Sequence, residues 1–180
     1  MEIVTARLTL RRPVPADLET IFAIHSDPQA CLHNPSDLLA TRSDAEHLYA
    51  RWDEHWRRHG FGYWVVRDAG SEKILGFAGV KVVRFREIEV LNLFYRLDPQ
   101  AWGAGVATEA ARTVVAWAGE HLPEWTVVAR VRPDNVASQR VACRAGLVRA
   151  EHLDDQGEDG VDWIFVRGWP YDPIAPEAPA

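Results

Sequence analysis

The hydrophobic positions of this 180-residue chain change period along its length, and each change marks an element. Leu8 and Leu10 alternate with polar neighbours up to Arg11-Arg12, the pattern of a short strand; Pro13 with Pro15 then ends it and opens a helix through about His25. Asp17 and Glu19 fall in the first turn of that helix, where carboxylates favour its dipole. Pro28 to Pro35 reads as a loop. Ser43-Asp44-Ala45-Glu46 has the form of a capping box, after which Ala45, Leu48, Tyr49, Trp52 and Trp56 recur at helical spacing until Gly60 stops the helix.

Past Gly60 the period shortens to two. Tyr63 to Arg67 and Lys73 to Val83, separated by Asp68-Ala69-Gly70-Ser71, predict a β-hairpin, and Glu89 to Leu97 predicts a further antiparallel strand. A glycine-containing run, Gln100 to Gly105, leads into a helix from Val106 to His121. Trp125 to Val131 is a β-branched run, and Pro133-Asp134-Asn135 caps a shorter helix that ends at Gly146. Leu147 to Leu153 and Asp162 to Arg167 predict a final pair of strands around an acidic turn. The Pro- and Ala-rich end has no period. The pattern therefore predicts one α+β domain over residues 1–169 and a frayed tail over 170–180.

Composition changes this picture little. A chain of this length can bury about 70% of its unfolded surface without disulfides or metal. Cys31 and Cys143 alone do not make a disulfide framework and are read as reduced thiols. A net charge of −6 argues against nucleic acid as the main partner and is compatible with a cationic acceptor. No apolar run approaches a membrane span, and the start Met1-Glu2-Ile3-Val4 lacks the basic and apolar segments of a secretory signal, so no membrane partner and a cytoplasmic location are expected.

The segment Gln100-Ala101-Trp102-Gly103-Ala104-Gly105 carries the chemistry. A strand, a turn with two glycines and then a strong helix former gather backbone N–H groups around one point at a helix N-terminus. Four unpaired donors and about half a positive charge there suit a diphosphate. The run lacks the Lys-Ser/Thr of a P-loop and the third glycine of a dinucleotide fingerprint.

This run resembles the Gln/Arg-x-x-Gly-x-Gly/Ala motif of the GCN5-related N-acetyltransferase (GNAT) family, which binds the pyrophosphate of acetyl-coenzyme A. Thr5 to Arg11, Gly60-Phe61-Gly62-Tyr63-Trp64, Ile74-Leu75-Gly76-Phe77, Ala107-Thr108-Glu109-Ala110, and Asn135 to Ser138 before Ala145-Gly146-Leu147 are similar to the RimJ/RimL-type branch. The resemblance covers roughly residues 5 to 169. It implies a central, mostly antiparallel sheet with two splayed strands and helices on both faces, and transfer of acetyl from acetyl-CoA to a primary amine in a ternary complex. The implied acceptor is a protein or peptide α-amino group; the alternatives are a metabolite or antibiotic amine, and a non-catalytic acyl-CoA sensor. A homodimer is compatible with the resemblance.

Carried onto this chain, the resemblance implies that pantetheine pairs with the strand end Tyr95-Arg96-Leu97. It also puts the pyrophosphate on Gln100 and Trp102 to Ala107, that is Trp102, Gly103, Ala104, Gly105, Val106 and Ala107. The aromatic Trp102 is expected to pack beneath the loop and offer its backbone N–H. Asn135 is expected to contact pantetheine, and Ser138 to protonate the leaving thiolate, although the two also read as an N-cap pair. The general base is open. Many relatives have a Glu where this chain has Asn92; Glu89 on the same strand and the acidic turn Asp154 to Asp159 are the replacements considered. His55 and His59 have the i, i+4 spacing of a zinc pair but no third ligand, so a surface or capping role and no metal are expected. Tyr49, Tyr63 and Tyr95 lie in earlier elements than Ser138 and are not expected to supply the acid. Glu109 with Arg112 at i+3 reads as a surface pair.

Overall fold

The computed structural model describes residues 2–71 and 73–170; the expected tail beyond residue 170 lies outside the described residues. The chain runs β1 (Glu2–Val4), β2 (Leu8–Arg11), α1 (Leu18–His25), α2 (Arg42–His59), β3 (Tyr63–Asp68), β4 (Ile74–Phe85) and β5 (Ile88–Leu97), then α3 (Val106–His121), β6 (Val127–Val131), α4 (Val136–Arg144), β7 (Val148–Arg149), β8 (Asp155–Gly157) and β9 (Gly160–Arg167). The strands form one sheet in the order β1-β2-β3-β4-β5-β6-β9-β7, with β8 hairpinned onto β9. Every pairing is antiparallel except β5 with β6.

Period-two alternation gives the sheet two covered faces. On one, α3 and α4 bury Ala110, Ala111, Val114 and Ala142 against Leu8, Leu10, Trp64, Val80, Leu91 and Leu93. On the other, Ile21 and Ile24 of α1 and Ala45 and Trp52 of α2 pack on Tyr63, Val65 and Phe77. This is the sheet with helices on both faces that the sequence predicts. The feature that positions the site is the β5–β6 pair. β4 holds β5 without interruption from Gly76↔Leu97 to Phe85↔Ile88, whereas β6 pairs with β5 only at Leu91↔Val127 and Asn92↔Val128. Beyond Asn92 the two strands part.

Three details differ from the sequence reading. Helix α2 begins earlier, because Thr41, not Ser43, is the N-cap: its hydroxyl accepts from the Asp44 N–H and the Asp44 carboxylate accepts from the Thr41 N–H. Strand β1 pairs with β2 although its three residues are too few to show a period. The predicted strand Leu147 to Leu153 is cut to Val148–Arg149, followed by a 3-10 turn over Glu151–Leu153. There Asp154 binds Arg149 through both oxygens and accepts the Ile164 N–H, so a carboxylate stands in for a ladder carbonyl.

His25 is 2% exposed, against Trp52, Phe77 and Phe94. Its Nδ1 lies 2.9 Å from the Ile21 carbonyl, and its Nε2 is buried without a partner. Burial, with the Arg96 charge adding, lowers its pKa from 6.5 to about 3. The unfolded chain therefore binds a proton that the folded chain refuses. Stability is at its full value above pH 6.5 and falls as pH drops from 6.5 toward 3, by up to about 1.4 kcal/mol per pH unit from this residue. Thermal melts between pH 7.5 and 5 are expected to show this loss, and His25→Phe to flatten the profile relative to wild type.

Candidate active site

The parting of β5 and β6 opens a cleft of about 600 Å³. Its walls are β5 from Asn92 to Leu97, the turn and first residues of α3, Ala129 to Val131 of β6, and the face of α4 that carries Asn135, Ser138, Val141 and Arg144. The loop between α1 and α2 closes one end through Gln29, Ala30, His33, Asn34 and Asp37.

Strand alternation decides what β5 offers this cleft. The Leu91 N–H donates to Thr126 on the β6 side, 2.8 Å away, so two residues further on the main-chain groups of Leu93, and then of Tyr95, face the gap. Arg96 has the opposite parity. Its carbonyl points at β4, where a Cβ on Gly76 would approach it to 2.4 Å, and its side chain lies on the α1 face. Tyr95, Arg96 and Leu97 of the expected strand end all line the cleft, Arg96 with its side chain because its backbone faces β4. The Leu97 carbonyl accepts from Trp102 Nε1 at 3.3 Å.

The glycine turn leaves the helix end that follows it uncapped. Gly103 and Gly105 have φ of 79° and 77°, the left-handed region that favours glycine, and a Cβ on Gly103 would meet nothing within 4 Å. Gly105 is the N-cap of α3 and no side chain caps the helix, so its first-turn N–H groups are open to a ligand. The residues present fit a diphosphate there. Gly103, Gly105, Val106 and Ala107 line the cleft, as expected. Gln100 and Ala104 are exposed outside the lining; the Gln100 N–H is held by Asp98 and the Ala104 carbonyl by Arg7. Trp102 also lines the cleft, but at 52% exposure it does not pack beneath the loop, and its backbone N–H is committed to the Pro99 carbonyl at 3.2 Å in a 3-10 turn.

The underside of the turn has a clamp that no local spacing reveals. Arg7 donates Nε to Glu109 at 2.6 Å and Nη1 to the Ala104 carbonyl at 3.0 Å, while the Thr5 hydroxyl donates to the other Glu109 oxygen at 2.6 Å. Glu109 is therefore paired with the β1–β2 turn rather than set aside as an i, i+3 surface partner. Arg7→Ala is expected to raise KM for acetyl-CoA about three- to tenfold, with kcat and the melting temperature little changed, since an exposed pair contributes modestly to folding. Steady-state kinetics with acetyl-CoA varied checks this.

At the apex of the cleft Tyr95 and Ser138 meet. Their hydroxyl oxygens are 2.6 Å apart, and the Tyr95 hydroxyl also donates to the Ser138 carbonyl at 3.1 Å. Burial pushes the Tyr95 phenol up to about 12, the Ser138 hydrogen bond opposing it. Asn135 caps α4 by accepting the Ser138 N–H at 3.0 Å, which sets the serine's position. Glu89 is not brought here. It is exposed opposite Arg84 near the β4–β5 turn, and its odd-numbered offset from Asn92 sends it to the other face. The acidic turn is likewise committed: Asp155 lies 3.7 Å from Arg130, and Asp159 accepts from the Ser36 N–H and hydroxyl. His55 is held between the Phe61 carbonyl and the Val82 N–H, at 2.8 and 3.0 Å, a strap rather than a ligand. Among the described residues no group of His, Cys, Asp and Glu is placed to hold a metal ion, and no helix is long and apolar enough to cross a membrane.

A splayed β5–β6 pair beside an uncapped helix N-terminus fits a coenzyme A-dependent acyltransferase, and the family match agrees with it. Residues 7–148 match the family described as the GNAT acetyltransferase domain, and the chain belongs to that family. It is similar to the uncharacterized protein YkkB of Bacillus subtilis, at 27% identity over 81% of this chain and 84% of the relative. Two solved structures share the fold. The ribosomal-protein α-N-acetyltransferase RimL, in complex with coenzyme A, has a TM-score of 0.75 at 14% identity over 92% of this chain and 96% of the other. Spermidine N-acetyltransferase from Vibrio cholerae, with coenzyme A and spermine, has 0.71 at 17% identity over 91% and 96%.

Proposed function

We propose that this acetyltransferase acetylates the α-amino group of a protein or peptide, with Tyr95 as the general acid. The observation that carries the catalytic part is the 2.6 Å contact between the Tyr95 and Ser138 hydroxyls at the parting of β5 and β6. Acetyl-CoA supplies the thioester that the amine attacks. The α3 N-terminus holds the diphosphate, and the free main-chain edge at Leu93 and Tyr95 pairs with the pantetheine amides as a short strand would. A Leu93 or Tyr95 N–H polarises the thioester carbonyl, and the tetrahedral adduct collapses with a proton passing from Tyr95 to the departing sulfur. Ser138 holds the tyrosine hydroxyl in place, and the proton that the attacking nitrogen sheds as the amide forms returns to the tyrosine oxygen through water and the Ser138 hydroxyl, restoring both groups.

Asn92 cannot take a proton from the amine, and Asp162, which lines the cleft, is engaged by Arg130 at 3.0 Å and Arg132 at 3.5 Å. The acceptor therefore reacts from its own neutral fraction, with proximity supplying most of the rate. The peptide reading is supported by the cleft lining, where Gln29 and Asn34 of the α1–α2 loop and the β6 edge beyond its pairing with β5 offer amide-matching groups. RimL acts on a ribosomal-protein α-amine and the Vibrio enzyme on spermidine, so the fold accommodates both acceptor kinds. Release of free thiol from acetyl-CoA, followed across N-terminal peptides, polyamines and aminoglycosides, tests the reading. Turnover confined to peptides supports it; turnover confined to polyamines or aminoglycosides sinks it. Binding of acetyl-CoA with no turnover favours a sensor instead.

A further inference from the structure

We infer that the acceptor carries a carboxylate close to its amine, read by Arg96 and Lys81; this rests on the acetyltransferase reading above. The face of the sheet opposite Tyr95 and Ser138 is organised around two stacked rings, Tyr63 and Phe94, with centroids 4.6 Å apart. A cation stands at each end of this aromatic floor. The Arg96 guanidinium is 5.5 Å from the Phe94 ring, and Lys81 Nζ is 5.8 Å from the Tyr63 ring. Lys81 is directly cross-strand from Asn92, so both side chains are on this face. Asn92, Phe94 and Arg96 line the cleft itself.

The charges do not balance as a site for a cation would require. At Asn92 the strand presents a neutral amide, in contact with the Tyr63 hydroxyl. Among the described residues Lys81 has no carboxylate within ion-pair distance, and burial lowers its pKa, with the Arg51 charge adding. Arg96 is 7% exposed and has a single anionic partner, Asp37, at 2.6 Å through one oxygen. Asp37 is itself 52% exposed on the α1–α2 loop and leaves the rest of the guanidinium fork unmatched. A guanidinium takes a carboxylate best through two parallel bonds, so Asp37 behaves as a placeholder that an incoming carboxylate can displace or join. A polycation placed here meets the buried Arg96 guanidinium and the half-buried Lys81 ammonium, and the carboxylate that faces both, Asp37, is already paired with Arg96.

Two sources offer this chemistry: an α-amino acid, whose carboxylate adjoins the amine, and a peptide beginning with Asp or Glu. Thiol release is measured with wild-type protein on matched pairs: an amino acid against its amide, and peptides beginning Asp-Ala or Glu-Ala against Asn-Ala or Gln-Ala, with spermidine as the cationic arm. The carboxylate member of at least one pair is expected to have a kcat/KM at least about tenfold higher, and the pair that shows it identifies the source. Lys81→Met is expected to raise KM for that acceptor about tenfold with KM for acetyl-CoA unchanged, and Asp37→Asn to lower it, an opposition that a structural role does not produce. Equal rates within every pair, or a preference for spermidine, overturn the inference while leaving the enzyme an acetyltransferase. Acetyl-CoA binding without turnover on any arm overturns the catalytic reading and this inference with it.

Discussion

Replacing Tyr95 by phenylalanine is expected to lower kcat about 10²- to 10³-fold while KM for acetyl-CoA stays within about threefold, because the change removes one hydroxyl and no binding surface. A departing thiolate needs a proton, and burial, which pushes the phenol up to about 12, keeps it protonated at neutral pH. Ser138→Ala is expected to cost less, about tenfold, since it loosens the tyrosine without removing the donor. The two defects should not add fully in the double variant, as one hydrogen bond connects them. Single-turnover kinetics separates the chemical step from product release. Retention of more than half the wild-type rate by Tyr95→Phe would assign the proton donor elsewhere.

Gly105→Glu is expected to weaken coenzyme A binding by more than about 100-fold, some 2.7 kcal/mol. Two effects combine. The backbone at φ 77° disfavours any side chain by about 1–2 kcal/mol, and the new carboxylate sits at the helix end proposed for the diphosphate, where it would repel it. Space is not the obstacle, because a Cβ there meets only Arg7 Nη2, at an ordinary 3.6 Å. Gly105→Ala therefore isolates the strain and should bind within about tenfold of wild type. Titration calorimetry with coenzyme A, alongside melting temperatures of both variants, checks the pair. Wild-type affinity in Gly105→Glu would place the diphosphate at another helix.

Local pattern made the helices, the β3–β4 hairpin, the further strand β5 and the glycine turn legible, because each depends on residues a few positions apart. Trp52 and Trp56 repeat at helical spacing and both are buried; Asn135 reads as an N-cap and caps α4. The errors share a cause. Asp154 replaced a strand partner through its side chain, Trp102 spent its N–H in a turn, and Glu109 found Arg7 across 102 positions, none of which a periodic reading can register.

The sequence by itself carried the family resemblance and the coenzyme A cosubstrate that goes with it, and it singled out the glycine turn as the proposed diphosphate loop, since a helix N-terminus behind two glycines is suited to an anion. Only the tertiary structure decided which polar side chains meet in the cleft. Tyr95 and Ser138 are 43 residues apart and became neighbours because β5 parts from β6 and α4 packs across the gap. The same parity that turns Tyr95 toward Ser138 turns Arg96 toward Asp37, so adjacent residues serve opposite sides of one cleft. Side-chain direction along a strand can be read from sequence, but what stands opposite it is set by which strands pair and where they separate.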